Sequence, residues 1–234
     1  MVRELSRALL TGACLILVIC VDASAYSGPL EFGSKVKPGD MDISRLLYSY
    51  AQMPQVWFWD VNENGFDRGD FVYMHFNNSS QRADIDDVRL TRCYSLMPGS
   101  KVRPIDEDFS KALTFLSGWR IVFTDLCGPA GYSLDDGVYI HTDAGHPGVV
   151  GQGDLRLTPF NNIAAGTIVC QGDPDTGRAV TALAQTIRFY NENGDETESG
   201  VPIYDFSDDI YIDISLDNAS PNGFVVTNEV RLSA

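Results

Sequence analysis

Three segments of this chain begin alike, and that self-similarity constrains the fold more than any other feature. They are GSKVKPGDMDISRLL from Gly33, GSKVRPIDEDFSKAL from Gly99 and GTIVCQGDPDTGRAV from Gly166, with starts 66 and 67 residues apart. Each runs on through an apolar stretch (QVWFWD, WRIVFTD or QTIRFYN), a Gly/Asp-rich loop and a second apolar stretch (FVYMHF, GVYIHT or DIYIDI). Each then closes on DVRLT at Asp87, DLRLT at Asp154 or EVRLS at Glu229. Four matched blocks in one order imply three tandem units of about 66 residues, at 33–98, 99–165 and 166–234. The joining segments are short, which implies close stacking in place of beads on a flexible string.

Within a unit, the glycine opening predicts a short strand. The acid pairs that follow, Asp40/Asp42, Asp106/Asp108 and Asp173/Asp175, predict a helix start, because carboxylates there accept free backbone N–H groups and favour the helix dipole. A short helix then runs through Leu46-Leu47, Ala112-Leu113 or Ala179-Val180. The blocks Gln55 to Trp59, Trp119 to Phe123 and Gln185 to Tyr190 are aromatic and β-branched, as strands are. The stretch from Phe71 to Phe76 and its counterparts make the next strand. Asp87 to Thr91 makes the last, with Val88 and Leu90 on one face and Arg89 on the other. The expected unit is β-α-β-β-β, and the expected class is mainly β with short helices, an α+β arrangement.

The start MVRELSRALLTGACLILVICVDASAYS has a basic end, an apolar run and Ala23-Ser24-Ala25 before Tyr26, which predicts a signal peptide over residues 1–25. As a membrane anchor the run is short of the roughly 20 residues that span a bilayer. The chain has 32 acidic and 17 basic residues, a formal net charge of −15. Such a chain repels nucleic acid and anionic membranes and attracts cations. Cys93, Cys127 and Cys170 follow the leader, and an odd count outside the cell implies a free, buried or intermolecular thiol. Asn77, Asn78 and Asn218 head N-x-S sequons, where a secreted chain accepts glycan.

The loop DVNENGFDRGD is the strongest chemical signal. Asp60, Asn62, Asn64 and Gly65 fill positions 1, 3, 5 and 6 of a calcium loop, Phe66 supplies a carbonyl at 7, and Asp70 is the nearest acid to position 12, standing at 11. The flanks read as strands, so the expected site is a shortened loop in a hairpin, binding Ca²⁺ weakly, in the roughly 10⁻⁴ to 10⁻³ M range. The bland alternative is an Asx-rich turn, for which Asn64-Gly65 is sufficient. The other two loops, DLCGPAGYSLDD from Asp125 and the longer one from Asn191, keep bracketing acids but not the alternation.

No nucleophile elbow, zinc-protease helix, Cys pair or phosphate loop is present. His75 and His141 sit at one repeated strand position, where the third unit has Asp213, and read as surface or edge residues; His146 is a lone loop histidine. In Trp57-Phe58-Trp59 alternate members pack the core or, if exposed, stack on sugar.

The signal peptide, G-S-x-V openings, D-x-N-x-N-G loop and D-[VL]-R-L closings together resemble repeat-built secreted surface proteins of methanogenic archaea, with a dockerin-like calcium loop in the first unit. The resemblance implies a place in an envelope, S-layer or sheath, and it carries no catalytic residue. The expectation is a secreted, calcium-associated structural protein, not an enzyme, that self-associates or meets other surface proteins. A calcium-dependent module for polysaccharide or protein is the alternative, and a glycoside hydrolase with two close carboxylates the third.

Overall fold

The structure, a computed structural model, describes residues 30–43, 45–50, 54–76, 80–126, 131–142, 148–183, 185–214 and 229–234. The leader, Asn77, Asn78, Cys127, His146 and Asn218 lie outside the described residues.

Twelve strands are present among them: β1 (Tyr48–Ser49), β2 (Gln55–Trp59), β3 (Phe71–His75), β4 (Val88–Arg89), β5 (Thr114–Phe115), β6 (Arg120–Thr124), β7 (Gly137–His141), β8 (Leu155–Arg156), β9 (Val180–Ala182), β10 (Thr186–Tyr190), β11 (Asp209–Asp213) and β12 (Val230–Arg231). They form three antiparallel four-stranded sheets, ordered β4-β3-β2-β5, β8-β7-β6-β9 and β12-β11-β10-β1. Each sheet takes three strands from one of the similar segments and its outermost strand from the next. The third sheet draws that strand, β1, from the first segment, so the order is cyclic.

Alternation along the strands explains how the sheets meet. Val56, Phe58, Val72, Met74, Val88 and Leu90 point to one face of the first sheet and are buried. They share a core with Ile121, Phe123, Val138, Ile140, Leu155 and Leu157 of the second sheet and Phe189, Ile210, Ile212, Val230 and Leu232 of the third. Each such side chain contributes about 1.5–3 kcal/mol by leaving water. The outer faces carry Tyr73, Tyr139 and Tyr211, each packed with the valine of a glycine opening: Val102, Val169 and Val36 respectively.

Those openings lie along the closing strand of the preceding segment in cyclic order. Gly99 N donates to Arg89 O at 2.7 Å, Gly166 N to Arg156 O at 2.8 Å and Gly33 N to Arg231 O at 3.0 Å. The three glycines sit where the segments converge, at φ of +80°, +76° and +75°. A Cβ on Gly33 would lie 2.4 Å from Ala165, one on Gly166 2.7 Å from Pro98, and one on Gly99 2.6 Å from Phe32. Both the backbone angle and the crowding require glycine there.

No helix occurs among the described residues. The stretches expected to be helical are extended: Leu46-Leu47 runs into β1, Ala112 and Ala179 pair singly with Arg82 and Val149 just before β5 and β9, and Val180 is already in β9. The described residues are therefore mainly β, and the short helices of the α+β expectation are not found among them. The acids expected to cap helices have another partner.

Candidate functional site

The closing motif explains itself residue by residue. In the first segment Val88 and Leu90 enter the core, while Thr91 Oγ1 accepts from Val72 N at 2.8 Å. Thr158 and Ser233 do the same for Val138 and Ile210, at 2.8 and 2.9 Å. The arginine turns the other way. Arg89 Nε and Nη2 donate to the two oxygens of Asp108, each at 2.7 Å, and Nη2 also reaches Asp106 at 2.7 Å.

Arg156 makes the same bidentate clasp on Asp175, at 2.8 and 2.7 Å, and reaches Asp173 at 2.7 Å. Arg231 clasps Asp42 at 2.8 and 2.8 Å and Asp40 at 2.7 Å. Asp42, Asp108 and Asp175 are fully buried. The first acid of each pair also accepts a backbone N–H, from Lys37, Arg103 or Cys170. The repeated acid pairs are therefore counter-ions of the preceding segment's arginine in cyclic order. The arginine's identical place in all three closing motifs is the sequence signal for this, although strand alternation by itself assigns it only to the face opposite Val88 and Leu90.

Two of the histidines, His75 and His141, are not at the surface. His75 and His141 are buried, each with Nδ1 2.8 Å from the carboxylate that opens the closing motif, Asp87 or Asp154. The aspartate at this position in the third segment suggests an exposed edge, yet it is buried there too. In the third segment Asp213 fills it by pairing with Arg188 at 2.9 Å. Beside that pair, burial pushes the Glu229 carboxyl up to about 7, with the Asp213 charge adding to the effect.

In the first loop the predicted residues converge on one they did not include. Asp60 accepts from Asn64 N at 3.1 Å and Gly65 N at 2.8 Å, an Asx-type turn. Asn62 and Asn64 both donate their amides to Asp67 Oδ2, at 3.0 and 2.8 Å, and these bonds lower the Asp67 pKa. Phe66 packs its ring on Phe58, at 5.4 Å between centroids. Asp70 is buried, and its two oxygens accept from Val61 N at 3.0 Å and Asp67 N at 2.8 Å. Asp136 and Asp208 buckle their loops in the same way.

Among the described residues no three His, Cys, Asp or Glu side chains are gathered to hold a metal. Oxygen ligation in the first loop requires the Asn62 and Asn64 amides to present their carbonyls beside Asp67, a half-turn of each side chain.

A second difference sets that loop apart. Lys35 buries its ammonium on the carbonyls of Ser133, Leu134 and Asp136, and burial lowers its pKa to about 8. Lys101 does the same on Asp205, Phe206 and Asp208. In the third opening the corresponding residue is Ile168, packed against the shared core. An open recess of about 420 Å³ lies beside the first loop, between Phe66, Asp67, Arg68 and Gln152, Gly153.

The Trp57-Phe58-Trp59 run divides by face. Phe58 is in the core, whereas Trp57 and Trp59 are half-buried on the outer face. Trp59, Phe71 and Tyr94 form a triangle of rings 5.4, 5.5 and 6.3 Å apart, with the Lys111 ammonium 5.0 Å from Trp59. Tyr94 is 55% exposed. Cys93 is a buried free thiol, pushed up to about 11 by burial, and Cys170 is free and half-buried.

No helix among the described residues is long and apolar enough to cross a membrane. Compared with models of protein families, with curated proteins and with solved structures, the chain matches none.

Proposed function

We propose that this chain is a secreted structural protein of a cell surface, of the envelope, S-layer or sheath kind, built from three copies of one unit and associated with calcium at its first loop. The observation that carries this reading is the cyclic set of Arg–Asp clasps. It ties the first segment to the last in one closed arrangement. A buried, fully hydrogen-bonded ion network specifies one arrangement at the expense of desolvation.

Calcium enters at Asp60, Asn62, Asn64 and Asp67, with Asp70 holding the loop closed and Phe66 offering its carbonyl. The support is coincidence: the loop with alternating oxygen side chains is the one whose opening segment brings Ile168 in place of a lysine. The test is calorimetric titration of the chain from Tyr26 onward beside Asp60→Ala and Asp67→Ala. Heat and thermal shift are expected in wild type and not in either variant; equal responses in all three overturn the calcium assignment. The surface role is tested by fractionating source cells with an antibody to the chain. Enrichment in the envelope fraction supports it, and recovery solely from the medium as free monomer contradicts it.

A second reading rests on the outer aromatic triangle. Trp59, Phe71 and Tyr94 offer faces on which sugar rings stack. Binding of cell-wall polysaccharide that is lost in Trp59→Ala, with the melting temperature kept, favours a binding module.

A further inference from the structure

The junction between the first and last segments differs from the other two in one respect: no peptide link joins its partners in sequence. Its chemistry is the same. At each junction an arginine clasps an acid pair, a glycine N–H donates to that arginine's carbonyl, and a valine N–H donates to the carbonyl two residues before it. Among the described residues its outer-face cluster is formed by the buried side chains Val36, Leu47 and Tyr211. In sequence, residues 51–54 separate Tyr50 from the start of β2.

We propose that this junction also forms between molecules: the opening segment of one chain docks on the last sheet of a second copy, giving reciprocal dimers and head-to-tail assemblies. An element that leaves its own body and finds the same contacts in a copy gains identical bonds, so the exchange is close to neutral in energy. The intramolecular form wins in dilute solution because a tethered partner is present at an effective concentration of roughly millimolar. Crowding of copies into a layer reverses that advantage. A heterologous contact of this kind closes into rings or extends as a fibre. This inference deepens the structural reading, and it rests on the cyclic junctions, not on where the protein resides.

The test exchanges charge across the junction. Arg231→Asp opposes the acids of its own opening, and Asp42→Arg opposes its own Arg231, so neither variant closes on itself. Mixed at equal amounts under reducing conditions, they are expected to form a 1:1 particle with twice the monomer mass by light scattering. Two monomers after mixing overturn the proposal. If either variant is insoluble, the wild type decides: concentrated, held at its thermal midpoint and cooled, it is expected to give dimers and larger species that revert on dilution and reheating. Monomer alone in that experiment overturns it. Neither outcome bears on envelope fractionation, so the two ideas fail separately.

Discussion

Arg231 grips both oxygens of Asp42 at 2.8 Å across 189 residues of sequence, and in doing so fastens the third of the similar segments to the first. Arg89 with Asp108 and Arg156 with Asp175 repeat the grip at a separation of 19 residues. One local device therefore serves twice as a neighbour contact and once as a closure.

Removing one member of a clasp leaves buried carboxylates without their counter-ion. Arg89→Ala is expected to cost about 3–5 kcal/mol in denaturant unfolding. Arg89→Lys should recover little of it, because an ammonium does not reproduce the two-pronged geometry. Full stability of the lysine variant would show that charge alone suffices.

Gly166 and Gly172 separate two causes of glycine preference. Both have positive φ, +76° and +91°, yet a Cβ on Gly172 meets nothing within 4 Å while one on Gly166 lies 2.7 Å from Pro98. Alanine at 172 should cost about 1–2 kcal/mol for the backbone angle. Alanine at 166 should cost clearly more, and equal melting temperatures would contradict crowding at the centre.

These two features show what was legible in the sequence. Strand alternation set Val88 and Leu90 on one face opposite Arg89, the face that enters the core, and the aromatic and β-branched blocks gave the mainly β class. The cyclic closure was not legible, because pairing of β1 with β10 joins residues far apart in the chain and leaves no local period. The acid pairs misled for a definite reason: a carboxylate before an apolar run looks the same whether its partner is a helix N–H or an arginine from another segment. Of the first loop, the ligand-bearing residues were readable one by one. The convergence of Asn62 and Asn64 on Asp67 required the loop's own turn. Ile168 in place of Lys35 and Lys101 is visible in the aligned openings, but that those lysines cap the loop carbonyls of another segment is seen only in the structure.

Glu229 gives the fold a pH response. Its folded pKa, about 7, lies above its ordinary value of 4.5. The fold therefore holds the proton more tightly than the unfolded chain does. The stability tied to that proton is fully present below about pH 4.5 and is lost as pH rises through about 7. Glu229→Gln imitates the neutral form, so thermal melts at pH 5 and pH 8 should differ by several degrees less in the variant than in wild type. Parallel pH profiles would remove Glu229 as the source.

Ile168→Lys restores to the third opening the ammonium that Lys35 and Lys101 provide elsewhere. It should place a positive charge near the carbonyls of Asp67, Arg68 and Asp70 and reduce any calcium-induced thermal shift at least twofold. An undiminished shift would mean that the cation and the lysine do not compete for this loop.

The central claim is that the chain closes on itself through the clasp between its last and first segments. A double-mutant cycle measures that directly, using Arg231→Met, Asp42→Leu and the pair in denaturant unfolding. The account predicts strong coupling, about 2–3 kcal/mol, with the double variant more stable than the sum of the single losses implies. Additive effects within about 0.5 kcal/mol would contradict it.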